Sequence, residues 1–122
     1  MTSLIINFSC AHFYNQPKWT EEQNKKTFGK CYSQFGHGHD YKLEVEVKDN
    51  QLRSLKECLA SLKEHLDHKH LNFDIGEFKN TIPTTENLAL FCLSFLKKNN
   101  LQPHKLRLFE THDLWVELDH LN

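Results

Sequence analysis

The sequence lacks the features that would direct it to a membrane, to nucleic acid or out of the cell. Its apolar stretches are too short to cross a bilayer, and its first residues show no basic region followed by an apolar segment and a cleavage site. The 15 Lys and Arg residues nearly cancel the 16 Asp and Glu residues, so no overall charge attracts nucleic acid or an anionic membrane. We therefore expect a cytoplasmic protein without a membrane or nucleic-acid partner.

The chain also lacks clustered cysteines, and the wide spacing of the four that it has argues against a disulfide framework. The four cysteines lie far apart in a chain without an export signal, which predicts free thiols. Cys58 and Cys92 fall on the apolar faces of predicted helices, and Cys10 alternates with apolar strand residues. All three are predicted to pack in the core as small hydrophobic groups. Cys31 differs, because it lies in a polar stretch where no core accounts for it.

The hydrophobic pattern predicts an α+β fold in the order ββααββ. Period-two alternation marks four strands, and apolar residues three and four apart mark two amphipathic helices. The length of 122 residues suits one domain, which we place at residues 1–122. We expect an antiparallel four-stranded sheet with both helices on one face. The predicted strands cover residues 4–14, 41–48, 104–110 and 114–118, and the predicted helices cover residues 50–66 and about 84–99.

Two further features concern the polar stretch after the first strand and the outer strands of the sheet. Residues 15–30 form a polar stretch, predicted as a long loop with a helical turn, and loops of this length in small domains are often functional. The outer strands of a four-stranded sheet have unpaired backbone groups, which association into a barrel would satisfy. We therefore expect the chain to form oligomers.

Histidine is abundant, with nine residues in the chain. His37 and His39 continue the apolar phase of the second strand, so both side chains lie on one face, and His12 has the corresponding phase in the first strand. Three imidazoles leave a fourth coordination position open, as in catalytic zinc sites. The pair His37 and His39 alone is weak support for a metal, but histidine is a poor core residue. The third histidine therefore favours a metal site.

Six short motifs occur in one order along the chain and are similar to those of a single family. They are FSCAH at 8–12, FGKC at 28–31, GHGHDYK at 36–42, LDHKHLN at 66–72, PTTEN at 83–87 and FET at 109–111. The sequence thereby resembles the 6-pyruvoyltetrahydropterin synthase family, which includes the 6-carboxytetrahydropterin synthases of queuosine (7-deazaguanine) biosynthesis. The resemblance implies the T-fold of that family. It also implies a homohexamer of two trimers, each closing a barrel, with active sites shared between subunits.

The resemblance further implies a reaction and a set of site residues. The implied reaction converts 7,8-dihydroneopterin triphosphate to 6-pyruvoyltetrahydropterin and releases triphosphate. The implied zinc ligands are His12, His37 and His39. The implied catalytic residues are Cys31, Asp67 and His68, and the implied pterin-binding residues are Glu110, Thr84, Thr85 and Glu86.

Elementary chemistry agrees with several of these roles. Glu110 is in phase with the apolar residues of its strand, so it would face inward, where a carboxylate can accept the adjacent N–H groups of a pterin edge. Cys31 would act as a base if positive neighbours lowered the pKa of its thiol. Asp67 would hold one ring nitrogen of His68 and leave the other to move protons. A histidine at the negative end of a helix explains the Asp67 and His68 pair equally well.

Three alternatives stay open. A 6-carboxytetrahydropterin synthase would use the same zinc and substrate and release acetaldehyde, although the five residues between Cys31 and His37 favour the pyruvoyl-forming reaction. An enzyme similar to dihydroneopterin aldolase would need no metal. A non-catalytic pterin-binding module would keep the site without turnover.

Overall fold

The computed structural model describes residues 1–12, 18–28 and 37–119, and at Phe28 and His37 it describes the backbone alone. Within these ranges no helix is long and apolar enough to span a bilayer. The predicted α+β class is confirmed. The elements in chain order are β1 (Thr2–His12), α1 (Glu21–Phe28), β2 (His37–Val47), α2 (Leu52–Leu66), β3 (Lys69–His70), α3 (Leu71–Asp74), α4 (Thr85–Lys98), β4 (Lys105–Phe109) and β5 (Trp115–Asp119).

The strands β1 and β2 form the centre of the sheet. They pair antiparallel along their whole length, from Thr2 opposite Val47 to His12 opposite His37. On the other side of β2 lies β4, also antiparallel, and β5 pairs antiparallel with β4. Because β1 ends where β2 begins, the predicted histidine ligands of both strands come to one end of the sheet.

The prediction of a four-stranded, purely antiparallel sheet is wrong. In the described part of the chain the sheet has five strands in the order β3-β1-β2-β4-β5, and β3 pairs parallel with β1, with Lys69 opposite Cys10. A strand of two residues is too short to show a period-two pattern in the sequence. It forms because the chain leaves α2 alongside β1, where the N–H of His68 donates to the carbonyl of Ser9 at 2.6 Å.

Among the described residues, one hydrophobic core lies between the sheet and the helices α2 and α4. The apolar stripe of α2, spaced by three and four residues, is buried, and α2 packs on β1. The helix α4 packs on β4 and β5. Buried residues of both helices and of the sheet form a single cluster, so both helices cover the same face. The buried leucines of α2 are Leu55, Leu59, Leu62 and Leu66.

The polar stretch after β1 contains a regular helix, α1, where the sequence predicts a loop with a helical turn. The Oγ1 atom of Thr20 accepts the N–H of Gln23 at 3.1 Å, and the N–H of Thr20 donates to Oε1 of Gln23 at 3.0 Å. This reciprocal pair is a capping box, which satisfies two N–H groups at a helix start. The Thr-Glu-Glu-Gln sequence at 20–23 carries that signal.

Candidate functional site

His12 and His39 lie side by side where β1 ends. In the register of the two strands Cys10 is opposite His39, and His12 lies two residues further along β1. Both histidines belong to the alternating set of buried or half-buried residues, so they lie on the core face of the sheet. Their ring centroids are 5.0 Å apart, and His12 is 0% exposed. Strand pairing therefore brings two imidazoles together in a largely buried place.

Glu110 forms a cluster with these two histidines. It directly follows β4 and is 6% exposed, which agrees with the inward direction predicted from strand phase. Its Oε1 atom lies 3.3 Å from Nε2 of His12 and 3.7 Å from Nε2 of His39. A buried carboxylate is costly unless it has a partner. The hydroxyl of Tyr41, which donates to the same Oε1 atom at 3.3 Å, supplies such a partner.

The cluster of His12, His39 and Glu110 fits a single metal ion. The ligand atoms of the three side chains all lie within 4.8 Å of one another. Two ligands of one tetrahedral zinc ion, each about 2.0–2.2 Å from it, are roughly 3.4 Å apart. The separations of 3.3 and 3.7 Å from the carboxylate to the imidazoles are close to that value. Imidazole nitrogen and carboxylate oxygen are also donors that zinc accepts.

The structure brings together two of the three predicted metal ligands, His12 and His39. The third, His37, begins β2, and its backbone pairs with His12, but its imidazole lies outside the described atoms. Glu110, which the resemblance implies as a pterin anchor, lies within metal-binding distance of the pair. Alternation along residues 104–110 predicts that Glu110 faces inward. It does not show which part of the neighbouring strands Glu110 reaches, because this depends on the β2–β4 register.

Tyr41 also belongs to this site, although the sequence pattern identifies it only as an inward strand residue. Its hydroxyl oxygen lies 2.8 Å from Nδ1 of His12 and 3.3 Å from Oε1 of Glu110. Tyr41 lies two residues after His39 on the inward face of β2. That spacing is the signal that could have predicted a hydroxyl beside the histidines.

Asp67 and His68 attach the end of α2 to β1 near the histidines. The Oδ1 atom of Asp67 accepts the N–H of Ser9 at 2.8 Å, and its Oδ2 atom lies 3.6 Å from Nε2 of His68. The hydrogen bond from Ser9 and, to a smaller extent, the charge of His68 lower the pKa of Asp67. The contact to His68 has the length of an ion pair rather than of a hydrogen bond. Strand β1, not the imidazole, therefore fixes this carboxylate.

A cleft of about 450 Å³ lies beside these groups. Its wall includes His39 from the histidine cluster, His68 from the end of α2, and Lys69 and His70 from β3. Asp74 also lines the cleft and accepts the N–H of His70 at 2.8 Å. A molecule in this cleft would therefore contact both the strand that carries His39 and His68, one member of the predicted proton-transfer pair.

The predicted pterin-binding residues Thr84, Thr85 and Glu86 lie at the start of α4. Thr84 is the N-cap residue, and its Oγ1 atom accepts the N–H of Asn87 at 3.1 Å. Thr85 is buried, whereas Glu86 is exposed. The structure thus assigns a capping role to Thr84. Contact of these three residues with a pterin stays a prediction.

Three of the four cysteines lie in the described part of the chain, and all three are buried. Burial raises the pKa of Cys10 to about 12, and the nearby carboxylates of Asp67 and Glu110 add to the effect. Burial also raises the pKa of Cys58 and of Cys92. Neutral buried thiols are inert, which agrees with the packing roles predicted for them. Cys31, the predicted base, lies outside the described residues.

Known proteins are similar to this chain over most of its length. A 6-pyruvoyl tetrahydrobiopterin synthase of Poecilia reticulata is 34% identical over 119 residues, which cover 88% of this chain and 81% of the relative. The solved structure of Caenorhabditis elegans 6-pyruvoyl tetrahydropterin synthase is similar with a TM-score of 0.86 at 30% identity. That similarity covers 97% of this chain and 93% of the other.

Two relatives with different names match a shorter part of the chain. A putative 6-carboxy-5,6,7,8-tetrahydropterin synthase of Archaeoglobus fulgidus is 34% identical over 90 residues, which cover 67% of this chain and 74% of the relative. A dihydroneopterin monophosphate aldolase of Pyrococcus furiosus is 32% identical over 93 residues, which cover 68% of this chain and 77% of the relative.

The family match extends over nearly the whole sequence. The family model described as 6-pyruvoyl tetrahydropterin synthase matches residues 2–120, a range that includes both strands of the histidine cluster and the end of α2. The chain belongs to the 6-pyruvoyl tetrahydropterin synthase family.

Proposed function

We propose that the chain is a zinc-dependent carbon–oxygen lyase that converts 7,8-dihydroneopterin triphosphate to 6-pyruvoyltetrahydropterin and releases triphosphate. The observation that carries this proposal is the buried cluster of His12, His39 and Glu110, whose ligand atoms lie within 4.8 Å of one another. The choice of reaction is supported by the relatives named as 6-pyruvoyl tetrahydrobiopterin synthases.

The proposed zinc ligands are His12, His37 and His39, with one coordination position open. The proposal is supported by the close approach of the His12 and His39 rings and by the pairing of the His37 backbone with His12. When bound, zinc would polarise side-chain oxygens of the substrate and acidify the neighbouring C–H group. Glu110 is close enough to replace His37 as the third ligand. Zinc analysis of substituted proteins distinguishes these two ligand sets.

Glu110 would anchor the pterin ring. The two oxygens of its carboxylate match a pair of adjacent N–H donors on the pterin edge. Because Glu110 is 6% exposed, such bonds would form away from water, where they are stronger. Thr84, Thr85 and Glu86 would contact the same ring, and the packing of α4 on β4 supports this arrangement.

Cys31 would remove the substrate proton, and Asp67 with His68 would carry it. The lowered pKa of Asp67 keeps its carboxylate ionised near neutral pH, and Oδ2 of this carboxylate lies 3.6 Å from Nε2 of His68. His68 and His39 line the same cleft, which supports a shared substrate. Proton removal, loss of triphosphate and internal rearrangement of the substrate need no organic cofactor.

The proposed assembly is a homohexamer of two trimers with active sites shared between subunits. At one edge of the sheet lies β5, and at the other, among the residues that the structure describes, β3 pairs with β1 at Cys10 and Ala11 alone. Partly covered edge strands favour association into a closed barrel. We place this single-domain enzyme, residues 1–122, in the cytoplasm.

The second candidate is the 6-carboxytetrahydropterin synthase reaction, which the Archaeoglobus fulgidus relative favours. Incubation of the purified protein with dihydroneopterin triphosphate, followed by mass spectrometry of the products, separates the two reactions. We expect triphosphate and a product with the mass of 6-pyruvoyltetrahydropterin. Acetaldehyde and a 6-carboxy product would establish the second candidate, and no consumption of the substrate would reject both.

An aldolase-like reaction is a third candidate, favoured by the Pyrococcus furiosus relative. It predicts turnover of a dihydroneopterin that chelators do not inhibit. A pterin-binding module without activity predicts tight binding of the pterin and no product. Repeating the product assay with a chelator, and titrating pterin binding separately, distinguishes the aldolase-like enzyme and the inactive binding module from the lyase reactions.

A further inference from the structure

The hydroxyl of Tyr41 connects a proposed metal ligand with the proposed pterin anchor. Tyr41 is 0% exposed, and its hydroxyl oxygen lies 2.8 Å from Nδ1 of His12 and 3.3 Å from Oε1 of Glu110. Its ring stacks on Phe8, with the centroids 5.3 Å apart and the planes inclined by 14°. The hydroxyl of this buried ring therefore lies between two groups of the site.

The hydrogen bond from the Tyr41 hydroxyl to Glu110 is the basis for assigning the direction of the contact with His12. An ionised carboxylate can only accept, so the single hydroxyl hydrogen of Tyr41 is donated to Oε1 of Glu110. The tyrosine oxygen must then accept at its other contact, which requires a hydrogen on Nδ1 of His12. A neutral imidazole with its hydrogen on Nδ1 has its lone pair on Nε2. Nε2 is the atom of His12 that lies 3.3 Å from Glu110, inside the candidate metal cluster.

We propose that Tyr41 is a positioning residue that holds His12 in the tautomer whose Nε2 atom can bind a metal ion. This inference rests on the proposed zinc site and deepens it. Partners of this kind fix the tautomer and ring orientation of metal-binding histidines, and their loss weakens metal binding by about 10–100-fold. The same hydroxyl orients Oε1 of Glu110. One side chain thus sets the geometry of both the metal ligand and the pterin anchor.

Tyr41→Phe removes the hydroxyl and keeps the buried ring. We expect the zinc dissociation constant of this variant, measured by competition with a chromophoric chelator, to rise by about 10–100-fold. Phe8→Leu is the matched control, because it removes the stacked ring and leaves the hydroxyl in place. We expect this control to melt at a lower temperature and to keep a zinc affinity close to that of the wild type.

Nitrogen-15 NMR of the histidine rings supplies a readout on the wild-type protein itself. The signals of His12 are identified by their absence from the His12→Asn variant. At a pH where the ring is neutral, we expect the metal-free wild type to show His12 with its hydrogen on Nδ1. In Tyr41→Phe we expect a mixture of the two tautomers.

Two results would overturn the role of Tyr41: zinc affinity of Tyr41→Phe equal to that of the wild type, or a hydrogen on Nε2 of His12 in the metal-free wild type. Wild-type protein that binds no zinc would reject the proposed metal site and this inference with it. Zinc binding by the wild type that Tyr41→Phe leaves unchanged would reject the inference alone. The two failures are therefore distinguishable.

Discussion

The Oε1 atom of Glu110 lies 3.3 Å from Nε2 of His12 and links the end of β4 to the end of β1 across β2. This contact places a buried carboxylate against an imidazole that is itself fully buried. It suits a carboxylate ligand of a metal ion, and it also suits an anchor for a molecule bound beside that ion. The two roles predict different zinc contents.

We predict that His37→Asn loses stoichiometric zinc, whereas Glu110→Gln keeps zinc and loses pterin binding. The reason is that three imidazoles would hold the ion, while the carboxylate would bind the ring. Zinc is measured by mass spectrometry of the dialysed protein, and pterin binding is measured by fluorescence titration. His65→Asn is the control, because His65 stacks on Phe91 and Phe95 of α4 and does not belong to the histidine cluster. This variant should keep both zinc and pterin binding. Zinc lost from Glu110→Gln and kept by His37→Asn would make Glu110 the third ligand.

Cys31→Ala is expected to lower kcat by about 10²–10⁴-fold, the contribution of a general base. Cys58→Ala is the matched control, since Cys58 is buried in the core and its pKa is raised by burial. That variant should lose some stability and keep its activity. Steady-state rates with dihydroneopterin triphosphate give both values. A kcat of Cys31→Ala equal to the wild-type value would reject the thiol as the base.

Thr84→Ala is expected to lower the free energy of unfolding by about 0.5–2 kcal/mol, because it removes the side chain that caps α4. Thr84→Ser keeps a hydroxyl in the same place and should stay near the wild-type value. Urea denaturation of the three proteins measures the difference. Equal stability of Thr84→Ala and the wild type would contradict the capping role.

Asp67→Asn should change the dependence of stability on acid pH. The pKa of Asp67 is lowered in the folded protein, chiefly by the N–H of Ser9, so folding favours the ionised carboxylate. Its stabilising contribution is present above the unfolded pKa of about 3.9 and is lost as pH falls through the lower folded value. We expect the melting-temperature difference between wild type and variant to be constant from about pH 7 to pH 5 and to shrink below about pH 4. A difference that does not change below pH 4 would contradict the lowered pKa.

Long periodic patterns in the sequence predict most of this fold. Alternation marks β1 and β2, which are each eleven residues long, and the leucine stripe of α2 extends through four turns. Both patterns are therefore longer than a chance run of residues. Strand β3 has two residues and depends on the β1 edge beside it, which no local pattern reveals. The helix α1 was predictable in principle, because Thr20 and Gln23 carry the spacing of a capping box.

The candidate site, like the fold, could be predicted from the sequence only in part. Strand phase predicts that His12 and Glu110 face the core, and both are buried. The contact between them depends on how β4 pairs with β2, and the bond from Ser9 to Asp67 depends on where the end of α2 meets β1. Such contacts arise from tertiary pairing between segments far apart in the chain. Residue type and local spacing in the sequence therefore do not reveal these contacts.

Metal dependence of turnover is the decisive measurement for this site. Protein stripped with a chelator and then dialysed is given dihydroneopterin triphosphate, with and without one zinc ion per chain, and the loss of substrate is followed by chromatography. We predict no consumption by the stripped protein and recovery of the rate when zinc is restored. Consumption by the stripped protein at the zinc-restored rate would contradict a zinc-dependent reaction at His12 and His39.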